Sequence, residues 1–264
     1  MRLVKPIKIA LLALLACAVA AAGVLYLLAG AVPQGYRPAQ LGGGDRVQAA
    51  KHFYGKVMDF DGQAQGTEAF DLSVTQEELN NYLASVDEIA ALLPEGHSGD
   101  VEGLMAAAGL CDPAVALGDG AVTFMVRSAR HDNRILSADV AFRFGPDGRL
   151  RVRLGQMRIG ELAVPEEVVH RRLQQVRDML AGRDSGGQSR QRTAEWINSA
   201  GAVAAVAEAA ITAITAAIDG EAIVPEGAWR QGRIRVEGVE VTPDQLHLRL
   251  RPVGRKTHPT ASHR

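Results

Sequence analysis

Cysteine is nearly absent. Of 264 residues only Cys17 and Cys111 carry thiols, and Cys17 lies within an apolar run, so no intramolecular disulfide is available and the fold must rest on its core. Aromatic residues make up 5% of the chain, while alanine and glycine are abundant, which points to close packing of small side chains. Charge of either sign is not in excess. The formal net charge is −1, so the chain has no overall attraction for a polyanion, and nucleic acid is not expected as a partner.

The common catalytic motifs are missing too. There is no GxSxG elbow, no glycine-rich phosphate loop closing on Lys and Ser or Thr, and no HExxH pair. The seven histidines, spread from His52 to His263, lack metal-ligand spacing. Asp59-Phe60-Asp61-Gly62 lacks the later acidic positions and the closing glutamate of a calcium loop, so it reads as a turn. The expectation is therefore no catalytic residue, no metal and no cofactor.

What the chain does have is an uncharged run from Ile9 to Val32, preceded by Arg2, Lys5 and Lys8. As a helix it would rise about 36 Å against a hydrocarbon core of about 30 Å, enough to span a bilayer with modest tilt. The cations ahead of the run place the N-terminus in the cytoplasm and the remainder outside it. Ala29-Gly30-Ala31 would also suit a signal peptidase, but the run exceeds the usual 7–15 apolar residues of a signal peptide, so a retained anchor is expected. Leu14-Leu15-Ala16-Cys17 resembles a lipoprotein processing site. The sequence stays apolar after Cys17, which argues against that use.

The expected organisation is a cytoplasmic segment 1–8, a transmembrane anchor 9–32, a flexible stalk 33–46 containing Gly42-Gly43-Gly44, an extracytoplasmic domain 47–253 and a disordered tail 254–264. Within the domain, residues 47–57 suit a short helix. Phe70, Leu72 and Val74 alternate as in a half-buried strand over 68–74. Thr75 and Glu78 form a capping-box pattern, followed at helical spacing by Leu79, Tyr82, Leu83, Val86, Ile89, Ala90 and Leu93. A further short helix is expected over 100–110.

Three antiparallel strands are expected over 115–129, 134–144 and 149–159. Gly118-Asp119-Gly120 is a possible interruption of the first, Asp132-Asn133 suits a turn, and Gly145-Pro146-Asp147-Gly148 is a hairpin loop. Alternation puts Leu136, Ala138, Val140, Phe142 and Phe144 on one side of their strand, and Leu150, Val152 and Leu154 on one side of theirs. Arg143, Arg149, Arg151 and Arg153 point the other way. Pro165 opens a helix to about 181, 182–192 reads as a loop, and 193–218 as an alanine-rich helix buried in the domain. A hairpin over 232–241 and 245–252 ends the fold. Arg149, Arg151, Arg153, Arg233, Arg235, Arg249 and Arg251 are expected along an exterior that keeps the sheet soluble.

The fold class expected from these elements is α+β, a curved antiparallel sheet packed on two or three helices and preceded by one N-terminal transmembrane helix. Phe70-Asp71-Leu72-Ser73-Val74-Thr75-Gln76-Glu77-Glu78-Leu79-Asn80-Asn81-Tyr82-Leu83, a strand followed by T-x-E-E-L-N and a helix, resembles the opening of uncharacterised bacterial proteins with one N-terminal anchor and an extracytoplasmic domain. Met157-Arg158-Ile159-Gly160-Glu161-Leu162-Ala163-Val164-Pro165 resembles their G-x-L-x-[VI]-P element. Through them the chain distantly resembles tubular lipid-binding (TULIP-like) domains. That resemblance implies an apolar tunnel and no catalytic residue.

The functional expectation is a non-enzymatic, periplasmic-facing protein of the cell envelope, anchored in the cytoplasmic membrane and binding a lipid or other apolar ligand. Phe124, Phe142, Phe144, Val152 and Leu154 are the candidate lining, with Ile211 and Ile214 opposite. The alternatives are an envelope scaffold or assembly factor acting through protein contacts alone, and a hydrolase whose residues, among Asp59, Asp61, Asp112 and His131, converge only in three dimensions.

Overall fold

The computed structural model describes residues 20, 23–92, 105–106, 109–169, 171, 222–223, 226–229 and 232–253. Most of the expected anchor lies outside these residues, as do the loop 182–192, the helix 193–218, the tail 254–264 and most of the segments 100–110 and 165–181. Residues 23–30 are helical. Among the described residues, no helix is long and apolar enough to cross a membrane.

In chain order the elements are α1 (Gly43–Ala64), β1 (Phe70–Thr75), α2 (Gln76–Leu83), α3 (Val86–Leu92), β2 (Leu110–Gly118), β3 (Ala121–Ser128), β4 (Arg134–Phe144), β5 (Leu150–Ile159), β6 (Leu162–Ala163), β7 (Ala222–Ile223), β8 (Glu226–Trp229), β9 (Gly232–Val241) and β10 (Gln245–Val253). The fold is α+β with antiparallel pairing. Where one curved sheet was expected there are two. One has the order β1-β10-β9-β8; the other has the order β2-β3-β4-β5-β6, with β7 also paired to β5. The division arises because the β9–β10 hairpin takes β1 as its neighbour, from Phe70 opposite Leu250 to Thr75 opposite Gln245.

The two sheets meet through a shared core. Val115, Leu117 and Val122 of the larger sheet pack with Val241 of the smaller one, and Leu79, Leu83, Phe142, Val239 and Leu246 close around them. A backbone bond from Gly120 N–H to Val241 O, 3.0 Å, joins the sheets at the β2–β3 turn.

Helix α2 is placed by polar contacts of unusual economy. Thr75 accepts a hydrogen bond from Glu78 N–H at 3.1 Å while the Glu78 carboxylate accepts from Thr75 N–H at 2.8 Å, the expected capping box. Four residues apart on one helix face, Gln76 and Asn80 then reach the free edge of β2. Leu117 N–H donates to Gln76 Oε1 at 2.7 Å, Val115 N–H to Asn80 Oδ1 at 2.7 Å, and Asn80 Nδ2 to Val115 O at 3.0 Å. The match is geometric. Four helical residues rise about 6 Å and two strand residues about 6.7 Å, so two amides at i and i+4 reach two strand residues on the same edge.

Three expectations change. The helix expected to run on from Thr75 breaks after Leu83, where the wholly buried Ser85 begins a new turn by accepting from Ile89 N–H at 2.9 Å; α3 then lies on α1. Gly43 and Gly44 open α1 rather than belonging to a stalk, and Asp59-Phe60-Asp61-Gly62 lies inside that helix rather than in a turn. Packing holds the helix further along: Ala50 is fully buried, Phe53 meets Tyr82 edge-on at 5.0 Å, and Phe60 meets Phe70 at 5.7 Å. Residues 33–42 lie without regular structure against the larger sheet. Tyr36 packs on Ala114, Met125 and Ile135, and its hydroxyl donates to Asp112 O at 2.9 Å.

Asn80→Ala leaves the Val115 N–H and C=O buried without partners, and should cost about 2–4 kcal/mol in chemical denaturation. Thr75→Ala should cost about 1 kcal/mol. Equal losses would show that the amide contacts to β2 contribute no more than an ordinary helix cap.

Candidate functional site

Register assigns the candidate lining to a single surface, because residues directly opposite in an antiparallel pair share a sheet face. Across β4 and β5, Val140 is opposite Leu154, Phe142 opposite Val152 and Phe144 opposite Leu150. Across β3 and β4, Val122 is opposite Val140 and Phe124 opposite Ala138, which is in turn opposite Met157. Phe124, Phe142, Phe144, Val152 and Leu154 therefore lie on one apolar face of the larger sheet. Ile211 and Ile214 lie outside the described residues.

Coverage of that face is uneven. Around Val122 it is closed by α2 and the β9–β10 hairpin, and Phe142 belongs to this packed part. Two residues along β3, Phe124 is 49% exposed. From there the apolar rows continue through Ala138 and Met157 to Leu136 opposite Ile159, next to the β5–β6 turn at Gly160-Glu161. Phe124 is therefore a half-exposed phenylalanine within an otherwise apolar sheet surface.

The opposite face is polar toward the β4–β5 loop, where Arg143 and Arg151 are opposite each other and Arg149 and Arg153 are exposed. Arg158 pairs with Asp139 at 3.2 Å, and Asp139 accepts from the Thr123 hydroxyl at 2.8 Å. The arginines expected along one exterior are divided between the two sheets, with Arg233, Arg235, Arg249 and Arg251 on the smaller one; Arg251 is paired with Glu237 at 2.6 Å.

No protein-family model, curated protein or solved structure matches the chain.

The candidate hydrolytic residues are not assembled into one site. Asp59 and Asp61 are on α1, where the buried Asp61 accepts from Gln65 Nε2 at 3.1 Å. Asp112, at a β2 bulge, is ion-paired with Arg127, and His131 Nδ1 lies 2.8 Å from Ser128 Oγ in the β3–β4 turn. Among the described residues no group of three His, Cys, Asp or Glu could hold a metal ion.

A polar cluster that sequence pattern did not reveal joins α1 to α2. Lys56 donates to Ser73 O at 3.0 Å and to the Glu78 carboxylate at 2.9 Å, while Tyr82 Oη lies 3.0 Å from His52 Nδ1. His52 and Lys56 are one helical turn apart, as are Glu78 and Tyr82, so each pair shares a helix face. Burial raises the Glu78 carboxyl, but the hydrogen bonds from Lys56 and Thr75 outweigh it and hold the group below the ordinary glutamate range. Burial, with the Glu78 charge adding to it, pushes the Tyr82 phenol up to about 12. A clamped carboxylate and a phenol kept protonated are poorly suited to shuttling protons at neutral pH, so the cluster reads as a helix clamp.

Because the folded pKa of Glu78 lies below the unfolded one, its contribution to stability is fully present above about pH 5 and is lost as pH falls through the folded value. Glu78→Gln should therefore lower the denaturation midpoint at pH 7 and flatten its fall as the pH drops below the ordinary glutamate range. An unchanged acid limb would show that Lys56 and Glu78 are not coupled in the folded protein.

Proposed function

We propose that the protein is a membrane-anchored, non-enzymatic component of a bacterial cell envelope whose extracytoplasmic domain binds a lipid or similar apolar ligand on the Phe124 face of the larger sheet. The observation that carries this reading is the exposure of Phe124 within a surface otherwise built of aliphatic and aromatic side chains. The uncharged run Ile9–Val32 supports the anchor, and the cations before it support the orientation. The likeness to tubular lipid-binding domains belongs to the same proposal: an apolar sheet face is the part of such a domain that meets acyl chains.

The test separates ligand contact from core packing. Phe124→Asn replaces a half-exposed side chain and should change stability by less than about 1 kcal/mol, while the lipid copurifying with the protein, measured by mass spectrometry, falls several-fold. Phe142→Asn buries an amide in the packed part and should cost about 3 kcal/mol. Protein that never carries lipid, or a folded Phe124→Asn variant with undiminished lipid, would leave the scaffold alternative standing.

A further inference from the structure

The described end of the apolar run is built into the domain. Leu28 O accepts from Ala31 N–H at 3.2 Å and from Glu161 N–H at 2.9 Å, so a helix-end carbonyl is satisfied by the β5–β6 turn. Ala29 is 4% exposed. Gly160 makes this contact possible: its φ is +60°, and a Cβ there would stand 2.6 Å from both Leu28 O and Ala29 O and 2.7 Å from Ala31 O. Gly160 N–H donates in turn to Ile135 O at 2.7 Å, fixing the turn to β4.

Immediately before this seat the helix is apolar on every side. Val24, Leu25, Tyr26 and Leu27 are 50–71% exposed, and four successive helical positions span the full circumference. A protein partner would cover one stripe of such a helix, whereas lipid covers all of it. The Arg134 guanidinium stands 4.9 Å from the centre of the Tyr26 ring, and Tyr and Arg are residues of the membrane–water boundary. The lengths agree with that placement. A helix from Ile9 to Tyr26 would rise about 27 Å, close to one hydrocarbon thickness of about 30 Å, with Lys8 just before it and Arg134 beside its far end. The residues from Ala29 to Val32 are surplus to the crossing, and they include the buried Ala29 held by the domain.

We infer that the end of the larger sheet formed by the β3–β4 and β5–β6 turns sits directly on the phospholipid headgroups, held there by the docking of residues 28–31 on Gly160 and Glu161. This rests on reading the run as a membrane anchor. It places the Leu136 and Ile159 end of the apolar face next to the bilayer, so a lipid reaches Phe124 from the membrane surface without crossing open water.

The experiment uses the full chain with Cys17→Ala and Cys111→Ser, carrying one fluorophore either at Asp132→Cys in the β3–β4 turn or at Asp147→Cys in the β4–β5 turn. These sites lie at opposite ends of β4, which has 11 residues and is roughly 35 Å long. The protein is reconstituted in phosphatidylcholine–phosphatidylglycerol vesicles containing lipid with a nitroxide on the headgroup. The label at position 132 should be quenched several-fold more strongly than that at 147. Gly160→Val should bring the two within twofold while the protein stays vesicle-bound. Equal quenching in the parent chain overturns the docking, and this comparison stands even where the glycine variant misfolds. Failure of the parent chain to float with vesicles overturns the anchor reading, and the inference falls with it.

Discussion

The edge of β2 is the constraint on which the rest of the structure depends. An edge strand presents backbone donors and acceptors that water or another strand must satisfy. Here Asn80 and Gln76 supply amide groups at strand spacing, so α2 replaces a neighbouring strand while its Leu79 and Leu83 enter the core. Gln76 N–H also donates to Asp244 O in the β9–β10 turn. One short helix thus holds the edge of one sheet, the hairpin of the other and the core between them. The T-x-E-E-L-N string has a structural account at most of its positions: Thr75 and Glu78 cap, Gln76 and Asn80 bind the edge, and Leu79 packs.

Local signals survived into the structure, and non-local ones did not announce themselves. The Thr75–Glu78 box involves groups three residues apart, and β4 has the expected bounds, Arg134–Phe144, so both were legible, although its two buried residues, Ile135 and Ser137, lie on the side away from the apolar row. The turn at Asp132-Asn133 was legible as well, and both residues adopt positive φ, 53° and 56°. Gly42-Gly43-Gly44 misled because glycine is a poor helix former in isolation. Gly43 and Gly44 are nonetheless the first residues of α1, a helix held to later parts of the chain by Phe53 on Tyr82 and Phe60 on Phe70. Asn80 read only as a polar residue of a helix, since its partner lies 35 residues away.

The candidate site divides along the same line. Alternation was enough to group Phe142 with Phe144 and Val152 with Leu154, because side-chain direction repeats every two residues; that these two rows and Phe124 share one face is set by the strand register. The difference between Phe142, packed, and Phe124, exposed, depends on where α2 and the β9–β10 hairpin come to rest, which is a property of the tertiary fold. The cluster of His52, Lys56, Glu78 and Tyr82 escaped notice because its two halves lie on different helices, 22 to 30 residues apart in the chain. Its role is to fasten α1 across the capping box, so that the helix preceding β1 and the helix following it share one carboxylate.

The pairing of β1 with β10 bears on how the protein reaches this structure. Phe70 to Thr75 find their partners at Gln245 to Leu250, roughly 170 residues later in the chain. At a synthesis rate of about 5–20 residues per second, β1 waits on the order of 10–30 s for the strand that completes it. Throughout that interval α2 can cap itself and grip β2, whereas the smaller sheet has no inner neighbour for its first strand. Strands β2 to β6 and the helices before them are therefore the part available to fold early, and closure of the smaller sheet is the late, length-limited step.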